Sequence, residues 1–194
     1  MDLKQRYTWL FTESRQLLLE PKKFWQQKSE APFTGNIVIR FYAPLVIAVG
    51  VAVFLGEIIG KAQFLLSYAT MKGLREIISY LIQYWIAVPV LATLLINYGG
   101  SHDKKTVRHV LAYSLLPFLL ASFITGLFPG LYVLSIIGLY GFYLFVLGAQ
   151  QCLGLPAENR SRFIILSILL IILIFGMVNI ISWKLLLAIF PYGA

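Results

Sequence analysis

Hydrophobic and polar positions divide this chain into two kinds of segment. From residue 41 onwards, five apolar windows recur, almost free of charge: Phe41–Ile59, Ile77–Asn97, Val110–Phe128, Leu131–Cys152 and Phe163–Trp183. A helix needs about 20 apolar residues to cross roughly 30 Å of hydrocarbon, so each window predicts one transmembrane helix. Only Pro129 and Gly130 separate the third window from the fourth, which predicts a tight helical hairpin. Pro44, Pro89 and Pro117 fall within spans and predict bends or breaks in three of them. Such residues are tolerated in membrane helices because neighbouring groups satisfy the freed backbone.

The first 40 residues read differently. Leu3, Tyr7, Leu10, Phe11, Leu17 and Leu18 recur at three- and four-residue steps, one apolar stripe on a helix, with Lys4, Arg6, Glu13, Arg15 and Gln16 largely off it. Pro21 suits the first turn of a second helix carrying Lys22, Lys23, Phe24, Trp25 and Lys28. Two placements are open. Basic residues interleaved with aromatics suit the headgroup layer, with Lys22, Lys23, Trp25 and Lys28 as lipid contacts. Alternatively the stripe packs on the cytoplasmic face of the bundle itself. No apolar run of about 7 to 15 residues occurs in this stretch, so no cleaved signal peptide is expected and the first span serves as its own insertion signal. The expected fold is all-α: a cytoplasmic amphipathic segment over residues 1–36 and a five-helix transmembrane domain over 37–194.

Composition narrows the classes further. The 194 residues are 59% hydrophobic and 12% charged, with a mean hydropathy of +0.81. Soluble domains run near 45–50% apolar and about 25% charged, so soluble and disordered classes are excluded. One cysteine excludes an internally paired disulfide scaffold. Sixteen Lys and Arg against eight Asp and Glu give a net charge of +8. With the N-terminus inside, twelve of the sixteen bases fall on the cytoplasmic side and only Lys61, Lys72, Arg75 and Lys184 outside. That asymmetry predicts N-inside, C-outside. It assigns the charge to anionic lipid on the cytoplasmic face, at about 1 kcal/mol per basic residue, and not to nucleic acid.

Candidate chemistry is sparse. Glu57 is the one ionisable group of the first span, and Lys61 follows four residues later. An interfacial ion pair that ends the span is the first reading, and a proton or cation site that includes Gln83 of the second span is the alternative. Ala48, Ala52, Gly56 and Gly60 form a small-residue ridge for close helix approach, and Ser135, Gly138, Gly141 and Gly148 a less regular one. These ridges serve packing first and leave a homo-oligomer open. His102, Asp103 and His109 offer too few ligands for a metal and read as a solvated loop. Cys152 has no nearby base. No nucleophile elbow, metalloprotease helix or phosphate-cradling loop occurs, so no catalytic, cofactor or metal residue is expected.

Four stretches resemble the YIP family, membrane proteins first known as interactors of Ypt/Rab GTPases. Arg40-Phe41-Tyr42-Ala43-Pro44 stands where the family often has Asp-Leu-Tyr-Gly-Pro at the entrance to the first span, with Tyr42 and Pro44 matching. Ala112-Tyr113-Ser114-Leu115-Leu116-Pro117 looks like the family's Gly-Tyr-Ser/Pro-Leu-hydrophobic-Pro at the start of the third. Glu20-Pro21-Lys22-Lys23-Phe24-Trp25 resembles the Pro-basic-x-Phe-aromatic stretch of bacterial members, and Gly154-Leu155-Pro156 the turn before the fifth span. The resemblance implies a non-enzymatic helical membrane protein that works through protein and lipid contacts, as a scaffold or membrane organiser with a membrane or cytoplasmic protein partner. Arg40 in place of an acid, and a short N-terminal region, weigh against GTPase binding and bring the chain closer to compact bacterial members of the inner membrane. The rival function is a small-solute or ion transporter or channel subunit, motivated by Glu57 and the three prolines. Tyr113, Ser114 and Pro117 are expected to shape the third helix. Single cysteines introduced at the two termini should react with an impermeant thiol reagent from opposite sides of sealed membranes; labelling of both from one side overturns the five-span topology.

Overall fold

A computed structural model describes residues 3–31, 33, 35–60, 65–100 and 103–190. Of Leu3, Lys4 and Arg6 only the backbone is described, and Lys61 and His102 lie outside the described residues. There is no strand among the described residues. Helices α1 (Leu3–Leu19) and α2 (Pro21–Glu30) form an antiparallel pair ahead of the first span. The spans comprise α3 (Ala43–Gly60), α4 (Leu66–Asn97), α5 (Lys104–Ser114) with α6 (Leu116–Leu127), α7 (Tyr140–Cys152) and α8 (Ala157–Ile189). Together they make five stretches long and apolar enough to cross a membrane, as the hydropathy pattern predicts.

Two of the three span prolines, Pro44 and Pro117, disturb their helices as their chemistry requires, and Pro89, expected to do the same, does not break its helix. Pro44 has no N–H for the Arg40 carbonyl, and its ring would crowd that oxygen. The helix widens into a π turn over Val38–Tyr42, with the Ala43 N–H reaching back to Val38 O, before α3 continues. Pro117 starts α6 after a break at Leu115, which divides the third span in two. Beside the break the Ser114 hydroxyl donates to Val110 O at 2.7 Å, a back-bond that often bends helices. Pro89 sits inside an unbroken α4. At the end of that helix Gly99, at φ +77°, closes a Schellman turn: its N–H and that of Gly100 bond to Ile96 O and Leu95 O at 3.0 and 2.9 Å.

One span departs from expectation. Its first half, Pro129–Leu139, is 3₁₀ with a kink at Leu131 (φ −93°, ψ 26°), and only the second half is α7. The 3₁₀ segment packs along α6. The helices α4 and α8 also run well past the apolar windows. At 1.5 Å per residue each is close to 50 Å long, and they pair along their length from Tyr68 beside Phe190 to Tyr98 beside Phe163.

Close packing falls on glycines, partly those of the expected ridge. Ala52 and Gly56 are buried, whereas Gly60 is exposed. Gly56 backs directly onto the backbone of Gly126 in α6, and Gly50, outside that ridge, meets Gly73 of α4. In the fourth span Gly138 and Gly141 lie against Phe118, and Ser135 is exposed. The largest fully buried side chains, Trp25, Tyr42, Phe24, Phe41 and Phe163, gather toward the end of the bundle on which the α1–α2 hairpin docks. Gly56→Ala would drive a methyl into a carbonyl oxygen and should cost about 1–3 kcal/mol. Gly60→Ala meets nothing within 4 Å and should be neutral or slightly stabilising. Thermal unfolding in detergent checks the contrast.

Candidate functional site

Three sequence-distant motifs converge on Tyr113. Its ring lies 5.0 Å from Phe24, 6.0 Å from Trp25 and 4.8 Å from Phe41, centroid to centroid. Its hydroxyl donates to Glu13 Oε2 at 3.0 Å. The Lys28 ammonium sits on the same carboxylate, 3.0 and 2.9 Å from its two oxygens, and over the faces of Phe24 and Tyr113 at 5.2 and 5.7 Å. An ammonium over aromatic faces gains about 0.5–2 kcal/mol according to its desolvation. The α1–α2 hairpin is thereby clamped on the membrane bundle.

Local sequence explains each contribution. The turn before Pro21 folds α2 back along α1, which brings Lys28 to Glu13. In α2 the adjacent Phe24 and Trp25 both face the bundle, and Trp25 is accommodated because Gly148 of α7 has no side chain: an added Cβ would stand 2.8 Å from the indole. Tyr140 ties the other helix, its hydroxyl donating to Leu18 O at 3.2 Å. The break at Leu115 ends α5 just after Tyr113, next to the π turn that carries Phe41 and Tyr42. Tyr42 is fully buried, stacks on Tyr84 at 4.5 Å and donates to Tyr80 O at 2.9 Å; Tyr84 in turn donates to Arg108 O at 2.9 Å. Pro44 and Pro117 set backbone shape, and Ser114 bonds within its own helix.

The headgroup placement expected for four residues holds a different position here for two of them. Trp25 is 0% exposed and Lys28 is paired with Glu13, because the hairpin docks its aromatic edge into the bundle. Lys22 and Lys23 remain exposed. The apolar stripe of α1 divides likewise: Leu17 is buried and Leu10 and Leu18 pack against the core, while Tyr7 and Phe11 are 67% and 68% exposed.

The charged residues of the spans form a second centre at the other end of α3. Glu57 is buried and takes the Lys72 ammonium of α4 at 2.6 Å. Sequence proximity pointed to Lys61, which lies outside the described residues; Lys72 was missed because only the antiparallel packing of α3 on α4 brings it near. One helical turn on, Arg75 pairs with Glu76 and reaches Asn179 Oδ1 of α8 at 3.3 Å. Gln83 is buried but lies eleven residues beyond Lys72, about 16 Å along the helix, so it and Glu57 form no common site. Its Nε2 donates to Phe175 O at 3.4 Å, linking α4 to α8.

The loop candidates have structural duties. Asp103 caps α5, accepting from the N–H groups of Lys105 and Thr106 at 2.9 and 3.3 Å and from the Thr106 hydroxyl at 2.6 Å. The hydroxyl bond first, then the backbone bonds, hold its carboxyl below the usual carboxylate range. His109 stacks on Phe33 at 4.5 Å and bonds to Lys105 O through Nδ1 at 2.8 Å. No cluster of three or more His, Cys, Asp or Glu side chains suited to a metal occurs among the described residues. The Cys152 thiol lies 3.9 Å from Trp25 O.

Comparison with family models matches the Yip1 domain over residues 15–180. Comparison with curated proteins and with solved structures gives no match. For the cluster itself, Tyr113→Phe should remove one hydrogen bond and cost about 1 kcal/mol, whereas Tyr113→Ala should unseat the hairpin. Limited proteolysis of the α1–α2 segment distinguishes the two: slow cutting in wild type and Tyr113→Phe, fast cutting in Tyr113→Ala.

Proposed function

Because the chain belongs to the Yip1 domain family, an integral membrane protein family, we propose that it acts without catalysis, as a scaffold or membrane organiser that works through protein and lipid contacts. The observation that carries this reading is the use of the motif residues. Phe24, Trp25, Phe41 and Tyr113 are buried where the hairpin meets the bundle, and Tyr42 is buried beside them, tying the π turn to α4. The hairpin also leaves Tyr7 and Phe11 of α1 and Lys22 and Lys23 of α2 exposed. Exposed aromatics and bases on one amphipathic hairpin suit the boundary of an anionic leaflet or a partner seated there. With the expected orientation that leaflet is the cytoplasmic one, and the compact form suits a bacterial inner membrane.

The transport reading draws on Glu57, a buried acid in a span. Its ion pair with Lys72 supports a packing role instead, since a proton or cation site needs an acid whose charge is free to change. A photoreactive amino acid at Phe11, illuminated in native membranes, tests the scaffold reading. Reproducible crosslinks to lipid or to one protein are expected, against few from the same probe at the packed position Leu17. Equal, non-specific labelling at both positions overturns it.

A further inference from the structure

Arg75 carries N–H groups with no acceptor among the described residues. Its Nη2 serves Glu76 and Asn179, and its guanidinium stands 5.0 Å over the ring of Trp183. Its Nε is buried and has no acceptor among the described residues, and the donor left for an outside acceptor is Nη1, which makes no hydrogen bond among those residues. A guanidinium donor left unpaired away from water costs free energy, and Arg is the side chain best matched to phosphate oxygens.

The same side chain lines a groove of about 570 Å³ between α4 and α8, within the range of about 300–1,000 Å³ usual for small-molecule sites. Ile78, Ile82 and Ile86 form one wall, with Val178, Ile181 and Leu185 on the other. Two hydroxyls, Ser79 and Ser182, also reach it, but they bond each other at 2.9 Å. Arg75 is thus the one charged group of an otherwise apolar trough. From Arg75 to Ile86 the helix advances about 16 Å, the depth of one hydrocarbon leaflet. Trp183 beside the guanidinium is a residue type favoured at the membrane interface.

Charge selects among amphiphiles. At this end of the bundle the described acids are Glu57 and Glu76, and the described bases are Lys72, Arg75 and Lys184. The two acids are paired with Lys72 and Arg75, which leaves a basic excess. We propose that the α4–α8 groove retains one anionic phospholipid of the surrounding leaflet, an acyl chain lying along the isoleucines and the phosphate accepting from Arg75. This site lies at the other end of α3 from the Tyr113 cluster and does not rest on the scaffold reading.

The test uses the whole protein reconstituted in nanodiscs of equal parts phosphatidylcholine and phosphatidylglycerol, then released into mild detergent for native mass spectrometry. Wild type should keep one phosphatidylglycerol per chain. Arg75→Gln should lower that retention about tenfold while leaving phosphatidylcholine unaffected, the loss expected for one charged hydrogen bond. Ile82→Trp, which fills the trough, should lower retention of both lipids. Thermal unfolding in lipid-free detergent separates lost binding from lost folding. If Arg75→Gln does not fold, Arg75→Lys and Ile82→Trp decide the matter. Equal retention of the two lipids by wild type overturns the proposal, as does undiminished phosphatidylglycerol in Arg75→Gln. A two-chain species that Ile82→Trp abolishes also overturns it, since a second copy would then cover the groove.

Discussion

The contact of Tyr113 with Glu13, Lys28 and three aromatic rings is the interaction on which the end of the bundle that carries the N-terminal hairpin depends. A hairpin of seventeen and ten residues has little helical stability alone in water, so tertiary packing must hold it. Edge-on aromatic pairs contribute about 0.5–1.5 kcal/mol each beyond the area they bury. Two such rings, Phe24 and Trp25, and a third, Phe41, tilted at 60°, meet on one tyrosine whose hydroxyl also fixes an ion pair. The Pro117 break and the π turn before Pro44 serve this contact, because they end α5 and begin α3 where Tyr113 and Phe41 can face each other. Gly148 serves it too, by making room for Trp25.

The opposite end obeys a different constraint. Charges near hydrocarbon are costly unless paired, and removing one partner leaves the other buried and uncompensated. Glu57 with Lys72, and Arg75 with Glu76 and Asn179, meet that demand while tying α3, α4 and α8 together. Helix α8 otherwise presents apolar residues on most sides, Ile172, Met177, Ile181 and Ile189 among them. Such a helix is stable only with lipid as its solvent, which makes lipid part of its packing.

Much of the architecture was legible from hydropathy. Five spans, the helix-starting role of Pro21 and the disturbances at Pro44 and Pro117 follow from local rules. The 3₁₀ half-span did not, since an apolar run of this composition fits either helix type and the choice rests on packing against α6. The candidate site was half legible. Phe24, Trp25, Tyr42 and Tyr113 stood out as motif residues, yet the alternation of bases and aromatics in α2 suits headgroups and a protein groove equally. Glu13 gave no signal at all, since an acid on the polar side of an amphipathic helix looks solvated until its partner, a hundred residues away, is in place.

The sequence by itself determined that this is a five-span helical membrane protein. That much is local: the bilayer fixes the length of an apolar run, and an isolated backbone in hydrocarbon must satisfy its own hydrogen bonds within a helix. The tertiary structure alone decided the partners: Lys72 for Glu57, Glu13 for Tyr113, Gly148 for Trp25. Each pairing depends on which helices become neighbours and at what rotation, and periodicity along one helix carries no information about the surface it will meet.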